Sequence, residues 1–177
     1  MKTFSKLKII VLACSFLFTM NSFSQEFSNV IKTNPLALAF GNFNATYEKV
    51  LNTKSSVLFS ANYMYKLFGE DISAGGIGAG YRYYFTHAKR AVPTGFWVTP
   101  EAAFAFGNVK ANESNVSITT FSVGAQIGYQ WAWDSGFTLD LGIGPNYTII
   151  NGDLDKSNFE TTSGILPSAT LAIGYAF

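Results

Sequence analysis

The sequence predicts an all-β protein: an eight-stranded antiparallel up-and-down transmembrane β-barrel, preceded by a cleavable signal peptide. Three observations carry that prediction. The chain is 13% charged and 16% aromatic, against about 25% charged in an ordinary soluble domain. Its apolar residues recur at every second position and nowhere convincingly at helical spacing. The alternating segments are divided by turn-rich connections in a regular rhythm.

The N-terminal segment stands apart from that pattern. Lys2, Lys6 and Lys8 precede the apolar run Ile9 to Met20, and Asn21-Ser22-Phe23-Ser24 offers a processing site. Positive start, apolar core and small residues in that order make an export signal. The run is too short to span a bilayer as a helix, which needs about 20 residues. Residues 1–24 are therefore assigned as signal peptide and 25–177 as one barrel domain. Cys14, the only cysteine, falls inside the signal, so the mature part has no disulfide framework. Val11-Leu12-Ala13-Cys14 loosely resembles a lipoprotein processing site, but the apolar stretch before Cys14 is short for one. The three signal lysines reduce the 12 basic residues to 9 against 11 acids. That balance, with no basic patch, excludes nucleic acid as a partner class.

Alternation is clearest near the C-terminal end. Phe121, Val123, Ala125, Ile127, Tyr129, Trp131 and Trp133 lie on one face, with Ser122, Gly124, Gln126, Gly128 and Gln130 on the other. Phe137 to Ile149 repeats the pattern, and Asp134-Ser135-Gly136 joins the two runs as a tight hairpin. Read outward from there, strands fall near 30–40, 44–52, 55–68, 74–87, 96–109, 118–133, 137–150 and 165–177. One end of the sheet then carries both termini with connections 53–54, 88–95 and 134–136. The other carries 41–43, 69–73, 110–117 and 151–164. An even strand count with longer loops at the end opposite the termini is the pattern of outer-membrane barrels.

Volume decides which face is inside. An eight-stranded barrel has room only for side chains to fill it. The small polar set of Gly, Ala, Ser, Thr, Asn and Gln fits that bore, and the Phe, Tyr, Trp, Leu and Ile set does not. Turned outward, the bulky set makes an apolar belt far larger than soluble monomers expose, so lipid is its expected solvent. Tyr83, Phe85, Trp131, Trp133, Phe137, Tyr175 and Phe177, with Phe96, form a predicted interfacial girdle at the terminus-bearing end. Phe40, Tyr65, Phe68, Phe104, Phe106, Phe121 and Tyr147 form a second one at the other.

The same register places Lys32, Glu48, Lys66, Arg82, Glu101 and Asp140 in the bore. Charges at bilayer depth pair with one another, and a guanidinium suits a carboxylate bidentately. The expectation is a charge network in which Arg82 bonds Glu101, with Lys32, Glu48 and Asp140 nearby. It acts as a structural plug or, alternatively, as a gate. The glycine-rich stretch Gly75-Gly76-Ile77-Gly78-Ala79-Gly80 alternates like a strand. It is read as room for bulky neighbours such as Arg82 or Trp97.

The remaining reactive side chains form no pattern that points to catalysis. His87, the sole histidine, sits at a strand end near Lys89 and Arg90, with no spacing that brings it a serine and a carboxylate. It is read as a solvated turn residue. Asp153, Asp155 and Glu160 on the longest loop, with Glu70 and Asp71 on another, could share divalent cations with lipopolysaccharide. The simpler reading is solvated loop charge. No catalytic residue, metal site or cofactor is assigned.

The last strand, Leu171-Ala172-Ile173-Gly174-Tyr175-Ala176-Phe177, ends on an aromatic with Tyr175 two positions earlier. In this, and over about residues 28–177, the chain resembles the small outer-membrane barrels of the OmpA membrane domain, OmpX and OmpW. Ala172 stands where that assembly signal often has glycine. Lys32-Thr33-Asn34, Tyr47-Glu48 and Gly80 to Phe85 look like an outer-membrane barrel family whose function is unknown. These resemblances imply an outer-membrane location and insertion by the barrel-assembly machinery through the C-terminal strand, where Tyr175 and Phe177 are the signal. They also imply outer-membrane lipid and lipopolysaccharide as surroundings. The expected role is non-enzymatic, in envelope structure or surface interaction. The alternatives are a narrow conduit for small or apolar solutes, a lipid-modifying enzyme, or a soluble lipocalin-like binder.

Overall fold

The period-two segments form eight antiparallel strands that close in sequence order, β8 pairing back onto β1. They are β1 (Asn29–Thr33), β2 (Asn42–Asn52), β3 (Ser55–Leu67), β4 (Glu70–Tyr84), β5 (Gly95–Ala111), β6 (Ser114–Ala132), β7 (Phe137–Gly152) and β8 (Gly164–Ala176). A computed structural model describes residues 28–67, 70–85, 92–111, 114–152 and 163–177. The assigned signal, His87, Lys89, Arg90, Asp153, Asp155 and Glu160 lie outside the described residues, as do the side chains of Lys66, Phe68, Glu70 and Asp71.

The Asp134-Ser135-Gly136 hairpin forms because glycine accepts the conformation it requires. Gly136 has φ 86°, a left-handed value other residues adopt only at a cost. Its N–H donates to the Trp133 carbonyl at 2.9 Å. At the far end two connections are tighter than predicted. The β3–β4 ladder runs to Leu67 opposite Glu70, and the β5–β6 ladder to Ala111 opposite Ser114. Residues predicted as the loops 69–73 and 110–117 are therefore mostly strand. Their polar character hides the alternation, whereas ladder bonding depends on the backbone.

The first strand departs most from expectation. It ends at Thr33 rather than reaching residue 40, and Pro35–Ala39 forms a short helical turn, α1. Proline is pre-organised for a first helical position, and Asn34 caps the turn. The Asn34 Oδ1 accepts from the N–H of Leu36 at 3.0 Å and of Ala37 at 3.1 Å. Phe40, assigned to an aromatic girdle on a strand, is instead the residue that ends this turn. Gly41, with φ 80°, then turns the chain into β2.

Sidedness is the inverse of a soluble core. Among the described residues seven hydrophobic ones are buried, three of them alanines, while Lys32, Glu48, Arg82, Gln130 and Asp140 are all buried. Phe59, Ile77, Phe85, Phe96, Phe106, Ile127 and Ile143 are each more than half exposed. Around the terminus-bearing end the outer aromatics touch in edge-on and tilted pairs, Tyr83–Phe85, Phe96–Tyr129, Tyr129–Trp131 and Trp133–Phe137. Tyr175 and Phe177 lie on the same outer face, Tyr175 opposite Phe137. At that end the bore is stopped by a small apolar cap of Val30, Val92, Ala132 and Ala176. Val92 comes from the β4–β5 connection, whose Pro93 carbonyl accepts from Gln130 Nε2 at 2.8 Å. The end of that connection thus folds into the bore.

Candidate functional site

Above the cap, seven of the eight strands send a polar side chain to one level of the bore. Lys32 (β1), Glu48 (β2), Arg82 (β4) and Asp140 (β7) form a ring of alternating sign. Lys32 Nζ lies 2.5 Å from Glu48 Oε2 and 2.7 Å from Asp140 Oδ2. Arg82 Nη1 lies 2.5 Å from Asp140 Oδ2 and 3.8 Å from Glu48 Oε2. Two cations and two anions cancel, which is the condition for holding charge away from water.

Neutral partners complete the ring. Glu48 Oε1 accepts from Ser56 Oγ (β3) at 2.5 Å and from Tyr84 Oη (β4) at 2.7 Å. Asp140 Oδ1 accepts from Trp97 Nε1 (β5) at 2.9 Å. Arg82 Nε donates to Thr99 Oγ1 at 3.0 Å, and Gln130 Oε1 (β6) accepts from both Lys32 and Arg82. The guanidinium carbon also stacks 3.9 Å from the centre of the Trp97 ring, a cation–π contact.

Glycines make the space for these side chains. A Cβ on Gly128 or Gly142 would collide with the Trp97 ring, and one on Gly174 would lie 2.8 Å from Lys32 Cγ. The room for Trp97 therefore comes from β6 and β7, not from the Gly75–Gly80 stretch expected to supply it. Inward glycines of that stretch instead face small polar neighbours. A Cβ at Gly76 would lie 2.7 Å from Asn62 Oδ1, and one at Gly78 would lie 2.6 Å from Ser60 Oγ.

Four of the five residues assigned to the network meet, and the fifth does not. Arg82 bonds Asp140 across the bore rather than Glu101 on the adjacent strand. The ladder explains it: Glu101 sits opposite Gly80, a step further from the termini than Arg82, whose β5 neighbour is Thr99. Glu101 accepts instead from Gln126 Nε2 at 2.8 Å. Gln126 also donates to Ser168 Oγ and accepts from Thr170 Oγ1. The ring members not assigned to the network from the sequence are Ser56, Tyr84, Trp97, Thr99 and Gln130. Gln130 lies on the polar face of an alternating strand and Trp97 was expected inside as a bulky neighbour of the glycines, whereas the inward turn of Tyr84 carried no comparable signal.

Above the ring lies a cavity of about 240 Å³, lined by Ser60, Glu101, Ser122, Gln126, Asn146 and Thr170 among others, with Lys32, Arg82 and Asp140 at its edge. At about 30 Å³ per molecule, it has room for several waters. Among the described residues no group of histidine, cysteine and carboxylate side chains is arranged to hold a metal ion.

The chain belongs to the family described as protein of unknown function, DUF3575, which matches residues 8–166. The matched region contains all four charges of the ring. No curated protein matches the chain, and no solved structure does.

Proposed function

We propose that this protein is an integral outer-membrane β-barrel, exported through residues 1–24, with a non-enzymatic role in the structure or surface of the envelope. The observation that carries the reading is the sidedness of the wall. Bulky side chains such as Ile77, Phe106, Ile127 and Ile143 face outward while four charged residues fill the bore. In water such a belt exceeds what soluble monomers expose. In lipid it is the favoured face, and closing the sheet satisfies backbone groups that would cost several kcal/mol each if left unpaired.

The paired aromatics near the termini suit a membrane–water interface, where a ring can bury its body and wet its edge. Tyr175 and Phe177 sit on that belt, consistent with a C-terminal strand read by the insertion machinery. Lipid and lipopolysaccharide are then its surroundings. The neutral ring and the apolar cap beneath it close the terminus-bearing half of the bore, which argues against a through-channel and for a structural plug.

Cell fractionation, followed by flotation of the purified protein with lipid vesicles, tests the location. Recovery in the outer membrane and in the floated fraction, with a heat-modifiable gel shift, is the expected result. A monomer that stays in the aqueous fraction without detergent would overturn the proposal.

A further inference from the structure

The wall has one irregularity. β1 has 5 residues, whereas β2 and β8, its neighbours, have 11 and 13. At about 3.3 Å per residue and a tilt of about 40°, it covers only about 13 Å of a roughly 25 Å apolar band. Its last ladder partners are Thr33 with Ile173 on β8 and Lys32 with Thr46 on β2. Beyond them β2 and β8 have no strand between them, and α1 packs against both.

The two flanks of the break differ. On β2, side chains take the place of the ladder: Thr33 Oγ1 donates to the Asn44 carbonyl at 2.8 Å, and Asn44 Oδ1 accepts from Asn34 N–H at 2.7 Å. On β8, Phe177 and Asn29 exchange both backbone bonds. Alternation then turns the backbone groups of Leu171, Ala169, Pro167 and Ile165 toward the missing length of β1. Among the described residues no backbone bond joins α1 to these groups. Pro167 has no N–H to leave unpaired. Open backbone at this depth persists only against protein or beside a water-filled cavity, and the cavity lies directly behind: Thr46 of β2 and Thr170 and Ala172 of β8 all line it.

The cavity also has a chemical preference. The ring cancels its own charge, and among the described residues no lysine or arginine pairs with Glu101. Asn146 Oδ1 is buried without a hydrogen-bond partner. Free charge and free acceptor capacity thus both call for a donor. Outside, the break is framed by apolar groups: Leu36, Leu38 and Phe40 on the α1 segment and Ile165 on β8 are exposed.

We infer that the break between β2 and β8 is a lateral portal covered by α1. Through it a membrane-dissolved amphiphile with a protonated amine head enters from the lipid and seats that head beside Glu101 and Asn146. This rests on the membrane reading above.

The probe is an N-dodecyl amino-TEMPO, whose nitroxide quenches tryptophan fluorescence at short range. Trp131→Phe with Trp133→Phe leaves Trp97, beside the cavity, as the only tryptophan, excited selectively at the red edge of its absorption band. In the mature chain, which lacks Cys14, Ala37→Cys and Ala169→Cys then allow α1 to be bridged to β8 by a bismaleimide after folding, so that one preparation is its own control. Before bridging, quenching is expected to saturate with amine concentration. A doxyl fatty acid labelled beside its carboxylate, and the amine with Glu101→Gln, should need at least about tenfold more probe. After bridging, the saturable component is expected to disappear. Linear, unsaturable quenching, or no effect of Glu101→Gln, overturns the site. Saturation that survives bridging overturns the portal, because entry is then from the open end of the bore. A protein that does not float with vesicles fails the membrane reading itself, a result distinct from both.

Discussion

Arg82 and Asp140 meet with Nη1 2.5 Å from Oδ2 although their strands, β4 and β7, are separated in the wall by two others. The bond therefore spans the bore, and with Lys32–Asp140 (β1 to β7) and Arg82–Glu48 (β4 to β2) it ties non-adjacent strands at a single level. Strand ladders resist sliding of neighbours only. A cross-bore ion pair resists flattening of the whole cylinder.

Removing one member leaves the ring unbalanced. Arg82→Ala would strand Asp140 and Glu48 with Lys32 as their only cation, and breaking a buried pair in this way costs about 3–5 kcal/mol. A lowered urea midpoint and weakened heat-modifiable migration are expected. Arg82→Met combined with Asp140→Leu removes charge in balance and should recover most of that loss. Unchanged unfolding in Arg82→Ala would show that the ring is not what holds the cylinder.

The glycines against Trp97 allow a sharper test. The nearest atoms to a Cβ at Gly142 are side-chain atoms, of the Trp97 ring and Gln126 Oε1, whereas the nearest to one at Gly128 is the Leu141 carbonyl oxygen. Overpacking of this kind costs about 1–3 kcal/mol. Gly142→Ala should therefore be costly in the native background and nearly silent in Trp97→Leu. Gly128→Ala should remain costly in both. A thermodynamic cycle measured in detergent micelles gives the comparison, and equal behaviour of the two glycines would contradict the placement of the indole.

These cross-bore contacts mark where the amino-acid pattern stops being informative. Period two was enough to turn Lys32, Glu48, Arg82 and Asp140 inward and Trp131, Trp133 and Phe137 outward, because each assignment needs only its own strand. The partner of Arg82 was not legible in that way. It depends on the stagger accumulated around the barrel, so the adjacent Glu101 looked equally placed. Tyr84 was obscured by the generalisation that large rings face lipid, and Trp97, though expected inside, gave no sign of its bond to Asp140; a ring whose N–H or O–H reaches a buried carboxylate obeys a different rule. The end of β1 was legible in principle, since Asn34-Pro35 is a helix start. An apolar run with strand-like neighbours outweighed it.

The helical turn that follows depends on its cap. Asn34 Oδ1 holds two N–H groups, and an N-cap replaced by alanine loses about 1 kcal/mol. In Asn34→Ala the amides of Leu36 and Ala37 should exchange with solvent about fivefold faster, while those of β6 are unchanged. Equal exchange in both proteins would mean that packing against β2 and β8, not the cap, holds α1 in place.

The outer face offers the test that separates lipid from water as its solvent. Ile127 and Ile143 are directly opposed in the β6–β7 ladder and are 63% and 62% exposed. On a soluble barrel, an arginine at such a position is well hydrated and changes stability by about 0.5 kcal/mol or less. In the middle of a bilayer it costs about 2–4 kcal/mol. Ile143→Arg should therefore lower the urea midpoint of protein folded into vesicles by an amount in that larger range. Its effect should shrink for Phe177→Arg at the terminus-bearing rim, where a long cationic side chain reaches the interface. A depth-independent, near-zero effect at both positions would mean that the apolar belt faces something other than hydrocarbon.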